Sequence, residues 1–223
     1  MERIAHRGAK RELPENSLPA FRRAFERGAD AVELDVHATR DGIVVVHHDP
    51  TVRSTGAAEH AIAEMSWDEL RRLELLSGVS IPALADVLEV TPANKTVYVE
   101  IKGVAIEAAV IVVIREHRAM CAVHSFDHEA ITRCRALAPE IPRGILFDDA
   151  PADEMIRAIG VRGARDLWPR WDLIDAELVA RAQDAGARVV AWTVNSAATA
   201  KKLVDLGVAG VCTDDVRLLD ELR

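Results

Sequence analysis

Glu33 and Asp35 lie two apart in Ala31-Val32-Glu33-Leu34-Asp35-Val36, so strand alternation puts both carboxylates on one face and the three apolar residues on the other. Tyr98-Val99-Glu100-Ile101-Lys102 repeats the arrangement, with Glu100 and Lys102 sharing a face. Three carboxylates gathered in one place form an oxygen site suited to a hard cation, Mg²⁺ or Ca²⁺. No cysteine cluster or histidine-rich set argues for Zn²⁺. Arg7 and Lys102 can hold the oxygens of a phosphate, arginine as a fork and lysine as a point charge. His6 and His48 supply imidazoles that titrate near neutrality, so one can take a proton from a nucleophile while the other gives one to a leaving alkoxide. Phosphodiester cleavage is the reaction that uses all of these groups. A single strand carrying Glu-x-Asp is usually a solvated face, and only convergence of several strands separates a site from that reading.

The elements that must bring them together follow a regular alternation. Apolar patterning predicts barrel strands centred near residues 4, 33, 99, 122, 146, 167, 190 and 211, with helices between them. The first strand ends in His6-Arg7-Gly8. Pro14-Glu15-Asn16-Ser17 opens a helix with Leu18, Phe21, Ala24 and Phe25 at helical spacing, Asn16 or Ser17 as cap and Gly28 as stop. Asp41-Gly42 turns the chain into a hairpin strand at 43–46 that ends in His47-His48-Asp49. A small, polar stretch at 51–63 precedes a capping box, Ser66 to Glu69, and a short helix reaching about Leu76. Further helices are expected at 84–90, 105–115, 126–137, 153–159, 175–185, 197–206 and 215–222. The predicted fold is one (β/α)8 TIM barrel over residues 1–223, with the hairpin and short helix inserted after strand 2. Such barrels place their site at the C-terminal ends of the strands. His6, Arg7, Glu33, Asp35, Glu100 and Lys102 fall there on three neighbouring strands, and His48 follows in the loop after strand 2.

Composition narrows the partners. The chain has 223 residues, 49% of them hydrophobic and 29% charged, which fits one globular domain. Its net charge of -8 argues against a surface that coats nucleic acid, and an anionic small-molecule substrate would need local positive charge. Cys121, Cys134 and Cys212 are odd in number and lack metal-type spacing, as expected of reduced thiols in a cytoplasmic protein. Ile4-Ala5-His6 follows Met1 too closely for a secretory leader, and the longest apolar run, 108–114, is far too short for membrane insertion. No helix face is apolar enough to name as an oligomer interface.

The ordered segments His6-Arg7-Gly8, Pro14-Glu15-Asn16-Ser17, Gly28 to Val36, Thr39-Arg40-Asp41-Gly42, His48-Asp49, Glu100-Ile101-Lys102, Ser125-Phe126 and Ala191-Trp192-Thr193-Val194-Asn195 resemble the successive motifs of the glycerophosphodiester phosphodiesterase family. The resemblance runs from strand 1 to strand 8, in order. It implies a metal-dependent TIM-barrel hydrolase that cuts glycerophosphodiesters to sn-glycerol 3-phosphate and an alcohol. Carried over by position, it makes Glu33, Asp35 and Glu100 the metal ligands, His6 and His48 the acid/base pair, and Arg7 and Lys102 the phosphate-binding residues. The segment between Trp67 and Pro82 and the loop after Lys102 are shorter than is usual in the family, which implies a more open mouth. Two alternatives stand beside this reading. One is a related phosphodiesterase acting on lysophospholipids or another head group, and the other is a non-catalytic barrel that binds a phosphorylated metabolite. Among the remaining residues, Asn16 is read as a cap. Glu15 is either a supporter of the site or a helix-dipole residue, and Trp192 is divided between substrate wall and barrel core. His47 is expected to be structural or solvated, and His37 to lie mostly beyond the site. His60, His117, His124 and His128 have no assignable partner.

Overall fold

The computed structural model describes residues 1–220. In chain order its strands are β1 (Glu2–His6), β2 (Ala31–Ala38), β3 (Val44–Val46), β4 (Thr51–Arg53), β5 (Glu59–Ala61), β6 (Thr96–Ile101), β7 (Met120–Ser125), β8 (Arg143–Phe147), β9 (Asp166–Pro169), β10 (Arg188–Ala191) and β11 (Gly210–Thr213). The helices are α1 (Leu18–Glu26), α2 (Trp67–Leu70), α3 (Leu84–Val90), α4 (Glu107–Glu116), α5 (His128–Leu137), α6 (Ala152–Arg162), α7 (Ala176–Asp184) and α8 (Ala197–Asp205). β1, β2 and β6 to β11 pair in parallel, and the ring closes because β1 bonds to both β2 and β11. This is the eight-stranded TIM barrel that the sequence pattern predicts.

Alternation within each strand divides the core into two layers. Outward-facing Val32, Leu34, Val36, Val97, Val99 and Ile101 pack with Phe21 and Ala24 of α1, Val87 and Leu88 of α3 and Val110 and Ile114 of α4. Inside the barrel, Ile4, Ala31, Tyr98, Ala122, Leu146, Trp168, Val190 and Cys212 form a compact plug to which every barrel strand contributes one side chain. Gly144 makes room for the largest of them. A Cβ there would lie 2.8 Å from Cδ1 and Nε1 of Trp168 and 3.1 Å from the His124 Cβ. Below the plug the barrel is sealed by polar contacts: Tyr98 Oη donates to Glu2 (2.6 Å), and Arg188 donates to Tyr98 Oη (2.9 Å) and to buried Asp166 (2.7 Å). Above it lies the C-terminal rim.

The insertion after β2 has its own small core. β3 returns antiparallel to β2, pairing Val36 with Val46 and Ala38 with Val44. The stretch expected to be small and polar instead holds the β4–β5 hairpin, because Val52 and Ile62 reach inward to join Val45, Leu70, Leu75 and Ile81. For the same reason the helix expected to reach Leu76 stops at Leu70. The chain beyond it extends so that Leu75 bridges to Ser54 and the Leu76 N–H reaches the Arg53 carbonyl (3.1 Å). The closing helix expected at 215–222 is a 3-10 segment at Val216–Asp220, and its last two expected residues lie outside the described ones. Among the described residues no helix is long and apolar enough to cross a membrane.

Gly144→Ala is expected to destabilise the fold by about 1–3 kcal/mol, the usual effect of overpacking. The check is a lower denaturant midpoint at unchanged m value.

Candidate active site

Register sets the site. β1 pairs His6 with Glu33 of β2, β2 pairs Asp35 with Glu100 of β6, and β6 pairs Glu100 with His124 of β7. All five side chains lie on the inward face of their strands, above the apolar plug, where the barrel opens.

Glu33, Glu100 and His124 are buried and offer ligand atoms that all lie within 4.8 Å of one another. His124 Nε2 is 3.5 Å from Glu33 Oε1, and neither ring nitrogen has a hydrogen-bond partner. Desolvation pushes both carboxyls up to about 7, and repulsion from neighbouring carboxylates adds to it: Asp35 acts on Glu33, and Glu33 and Asp35 act on Glu100. Burial pushes His124 down to about 4, so its imidazole is neutral and able to act as a ligand. Two buried carboxylates and a neutral imidazole with no hydrogen-bond partner form a cluster that could hold a cation. The donor set fits a divalent ion, with one nitrogen added to the expected carboxylate oxygens.

Asp35 stands beside this cluster in a different environment. It is fully buried, with Arg7 Nε 3.0 Å from Oδ2, Asn16 Nδ2 donating to Oδ2 at 2.8 Å, and Lys102 Nζ 3.6 Å from Oδ1. Burial acts to raise its carboxyl, but Arg7, Asn16 and Lys102 hold it below the usual range. Oδ1 accepts no hydrogen bond. Lys102 Nζ also lies 3.4 Å from Glu100 Oε1. Arg7 extends its other arm to Glu15 (2.9 Å), which in turn pairs with Lys10 at 2.8 Å. Arg7 has φ 56°, and this left-handed backbone, followed by Gly8 at φ 79°, ends β1 and turns the guanidinium toward Asp35.

Each site histidine has an aspartate on Nδ1. His6 meets Asp214 Oδ1 at 2.6 Å, with its Nε2 3.7 Å from Glu33, and His48 meets Asp49 Oδ1 at 2.7 Å. The two dyads differ in support. Asp214 is further bonded by Asn195 and approached by Lys10, whereas the Asp49 side chain is 66% exposed. Burial acts to raise Asp214, but the contacts from His6 and Asn195 hold it well below the usual carboxylate range. His37 donates from Nε2 to the His48 carbonyl (3.1 Å), so it supports the loop that carries His48. His47 is half-buried, and its N–H donates to the Asp35 carbonyl (3.0 Å), a structural role.

A cavity of about 130 Å³ gathers these groups. His6, Arg7, Glu33, His48, Glu100, Lys102 and His124 line one side, and Phe126, Leu146, Trp168 and Trp192 line the other. Trp192 is thus a wall residue, with Nε1 donating to the Trp168 carbonyl (2.9 Å) and its ring edge-on to Phe126 at 5.3 Å. Of the seven residues given a catalytic, metal or phosphate role from the sequence, His6, Arg7, Glu33, His48, Glu100 and Lys102 line it and Asp35 does not. Three contributors were not predicted. His124 was legible in principle, since alternation along β7 puts it inward with Ala122, level with Glu100. Asn16 was read as a cap, but Ser17 holds that place by accepting the Ala20 N–H (3.3 Å), which frees the Asn16 amide for Asp35. Asp214 had no local signal, because its partner is 208 residues away.

A TIM barrel with a carboxylate–histidine cluster that could hold a cation, two cationic side chains and two aspartate-supported histidines at its C-terminal rim has the groups that hydrolysis of a phosphate ester uses. Comparison with known proteins defines the family: residues 6–218 match the Glycerophosphoryl diester phosphodiesterase family, and the chain belongs to it. It is an enzyme of that family. The chain is 33% identical to the glycerophosphodiester phosphodiesterase of Caldanaerobacter subterraneus subsp. tengcongensis, over 98% of this chain and 96% of the relative. Among solved structures, an Oleispira antarctica phosphodiesterase in complex with the product sn-glycerol-3-phosphate superposes with a TM-score of 0.90 at 28% identity, covering 100% of this chain and 96% of that one. The glycerophosphodiester phosphodiesterase of Thermotoga maritima gives 0.87 at 26% identity, with 99% and 97% covered.

The raised carboxyls make stability depend on cation and pH together. Their folded pKa of about 7 lies above the ordinary 4.5, so the cation-free fold retains protons that the unfolded chain releases. That contribution is complete below about 4.5 and is lost as the pH rises through 7. A cation held by Glu33, Glu100 and His124 would replace those protons. A divalent cation that the cluster holds, at a fixed concentration about 100 times its Kd at pH 8, is therefore expected to raise Tm by roughly 5–10 °C near pH 8 and by much less near pH 5.5. Thermal melts of the wild type and Glu100→Gln, with and without EDTA, check it.

Proposed function

We propose that this protein hydrolyses glycerophosphodiesters to sn-glycerol 3-phosphate and an alcohol, with a bound Mg²⁺ or Ca²⁺. The observation that carries the reading is the meeting of His6, His48, Arg7 and Lys102 around the Glu33–Glu100–His124 cluster in one cavity. Glu33, Asp35 and Glu100 are the proposed metal carboxylates. Support is strongest for Glu33 and Glu100, which share a cluster with neutral His124, while Asp35 offers an Oδ1 free of hydrogen bonds. When bound, the cation would neutralise phosphate charge and lower the pKa of a hydroxyl beside it.

The protein groups do the rest. Arg7 is fixed between Asp35 and Glu15, and with Lys102 it presents positive charge to the non-bridging oxygens as charge builds there. His6 and His48 keep Nε2 free because their Nδ1 atoms are taken by aspartates. One removes the proton of the attacking hydroxyl and the other protonates the departing alkoxide. The aromatic side of the cavity receives the apolar parts of the substrate. Phe126, which is 40% exposed, carries that surface outward and favours a second reading, in which the leaving group is the larger alcohol of a lysophospholipid. A cytoplasmic location belongs to the same proposal, supported by three free cysteines.

Release of glycerol 3-phosphate from glycerophosphocholine and glycerophosphoethanolamine tests the reading. EDTA is expected to abolish turnover and one divalent cation to restore it, and a lysophospholipid turned over in preference to both would favour the second reading. His6→Ala and His48→Ala should each lower kcat by about 10²–10⁴-fold, the range of acid/base catalysis, while cation-dependent thermal stabilisation persists. Variants with full turnover would show that these histidines are not the pair. A folded, cation-loaded wild type inert on every such ester would leave a phosphometabolite-binding barrel.

A further inference from the structure

Asn195 and Asp214 meet His6 through a chain of hydrogen bonds whose polarity is fixed from one end. The Asp214 backbone N–H can only donate, and it points at Asn195 Oδ1 (3.0 Å). Thr213 Oγ1 lies 3.3 Å from the same oxygen, and since that hydroxyl already accepts the Asp215 N–H (3.1 Å), its proton is free to point there. Asn195 therefore turns its amide nitrogen the other way, and Nδ2 donates to Asp214 Oδ2 at 2.7 Å. A carboxylate only accepts. Its second oxygen, Oδ1, lies 2.6 Å from His6 Nδ1, with Lys10 Nζ at 3.5 Å as the only cation paired with it among the described residues. The proton of the pair must then sit on His6 Nδ1. Nε2 is left on the side of Glu33 and the cavity.

We infer that Asn195 and Asp214 are positioning residues that set the tautomer of His6, holding its proton on Nδ1 so that Nε2 presents a lone pair, or after protonation an N–H, to the substrate. The inference rests on the reading of His6 as one of the acid/base pair. Among the described residues no amide of this kind stands behind the second dyad, where the Asp49 side chain is largely exposed.

The chain can be inverted. In Asp214→Asn the new amide has one oxygen and one nitrogen, and the Asn195 Nδ2–H still demands an acceptor. The oxygen must face Asn195, which leaves the nitrogen to donate to His6 Nδ1 and forces the imidazole proton onto Nε2. A second substitution restores the polarity. With Asn195→Asp added, the carboxylate now at position 195 accepts from the amide nitrogen at position 214 with one oxygen. Its other oxygen accepts from the backbone N–H of position 214 and the Thr213 hydroxyl. The amide oxygen at position 214 then faces His6 and again accepts from Nδ1–H.

The test compares wild type, D214N and the D214N/N195D pair by two measurements: nitrogen NMR of the His6 ring, and steady-state hydrolysis of glycerophosphocholine with cation present. D214N is expected to move the proton from Nδ1 to Nε2 and lower kcat by about 10²–10⁴-fold, the effect of a wrong tautomer in an aspartate–histidine pair, with KM changed less than about threefold. The double variant is expected to return the proton to Nδ1 and recover at least about tenfold in kcat over D214N, which a merely structural role for either residue would not produce. The inference is overturned if folded D214N keeps its proton on Nδ1 or keeps wild-type kcat, or if the folded double variant matches D214N in both readouts. The NMR arm needs no turnover, so an inactive wild type would sink the proposed activity while the tautomers still decide the positioning claim.

Discussion

The constraint on which the rest of this site depends is the burial of three carboxylates at one end of a closed barrel. Glu33, Asp35 and Glu100 are held in a low-dielectric setting where like charges repel strongly and water cannot relieve them. The protein answers this in two ways. Around Asp35 it supplies permanent charge, with Arg7 and Lys102 close enough to keep that carboxylate ionised. Around Glu33 and Glu100 the compensation falls short: Lys102 lies 3.4 Å from Glu100, yet burial and repulsion between the carboxylates still push both carboxyls up to about 7, and a cation seated there would offset that burial. The difference between a carboxylate whose partners outweigh its burial and two whose burial outweighs their partners is what sets Glu33 and Glu100 apart from Asp35 as a cluster that could hold a cation.

The remaining geometry serves that end. The apolar plug beneath the site keeps water from entering from below, and the polar seal at the barrel's other end fixes the strand registers on which the row Asp35, Glu100 and His124 depends. Gly144 lets Trp168 lie edge-on to His124 at 4.5 Å, so the imidazole is held by packing although neither of its nitrogens is bonded. A ring held by shape and not by hydrogen bonds keeps both nitrogens available. Arg7 gains its position through a left-handed backbone that most side chains avoid, an arrangement tolerated because Asp35 and Glu15 hold the guanidinium from two sides.

His6 and His48 differ from His124 in being steered by hydrogen bonds. Each gives its Nδ1 to an aspartate and its Nε2 to the cavity, but only His6 has a further amide behind its partner. The support for His48 comes instead through its backbone, where His37 bonds to its carbonyl. One histidine is therefore fixed through its ring and the other through the loop that carries it. Comparable side-chain geometry is reached by unlike routes, because His6 ends a barrel strand while His48 follows the inserted β3.

What the sequence determined by itself was everything carried by local periodicity. Alternation along β2 and β6 put Glu33, Asp35 and Glu100 on inward faces, the turn residues marked where each strand ended, and the strand–helix rhythm defined the barrel and so the rim on which the chemistry had to lie. The same rule, applied along β7, would have found His124. The tertiary structure alone decided the contacts between residues far apart in the chain. Asp214 reaches His6 because β11 closes onto β1, and Asn16 bonds Asp35 because Ser17 had already taken the cap. The extended course of the chain around Leu75 was likewise settled by packing against Val45 and Val52, which outweighed a short helix with few local contacts. Periodicity is written in neighbouring residues and survives in the sequence, whereas ring closure and competition for a partner depend on which distant groups meet, and only the folded chain brings them together.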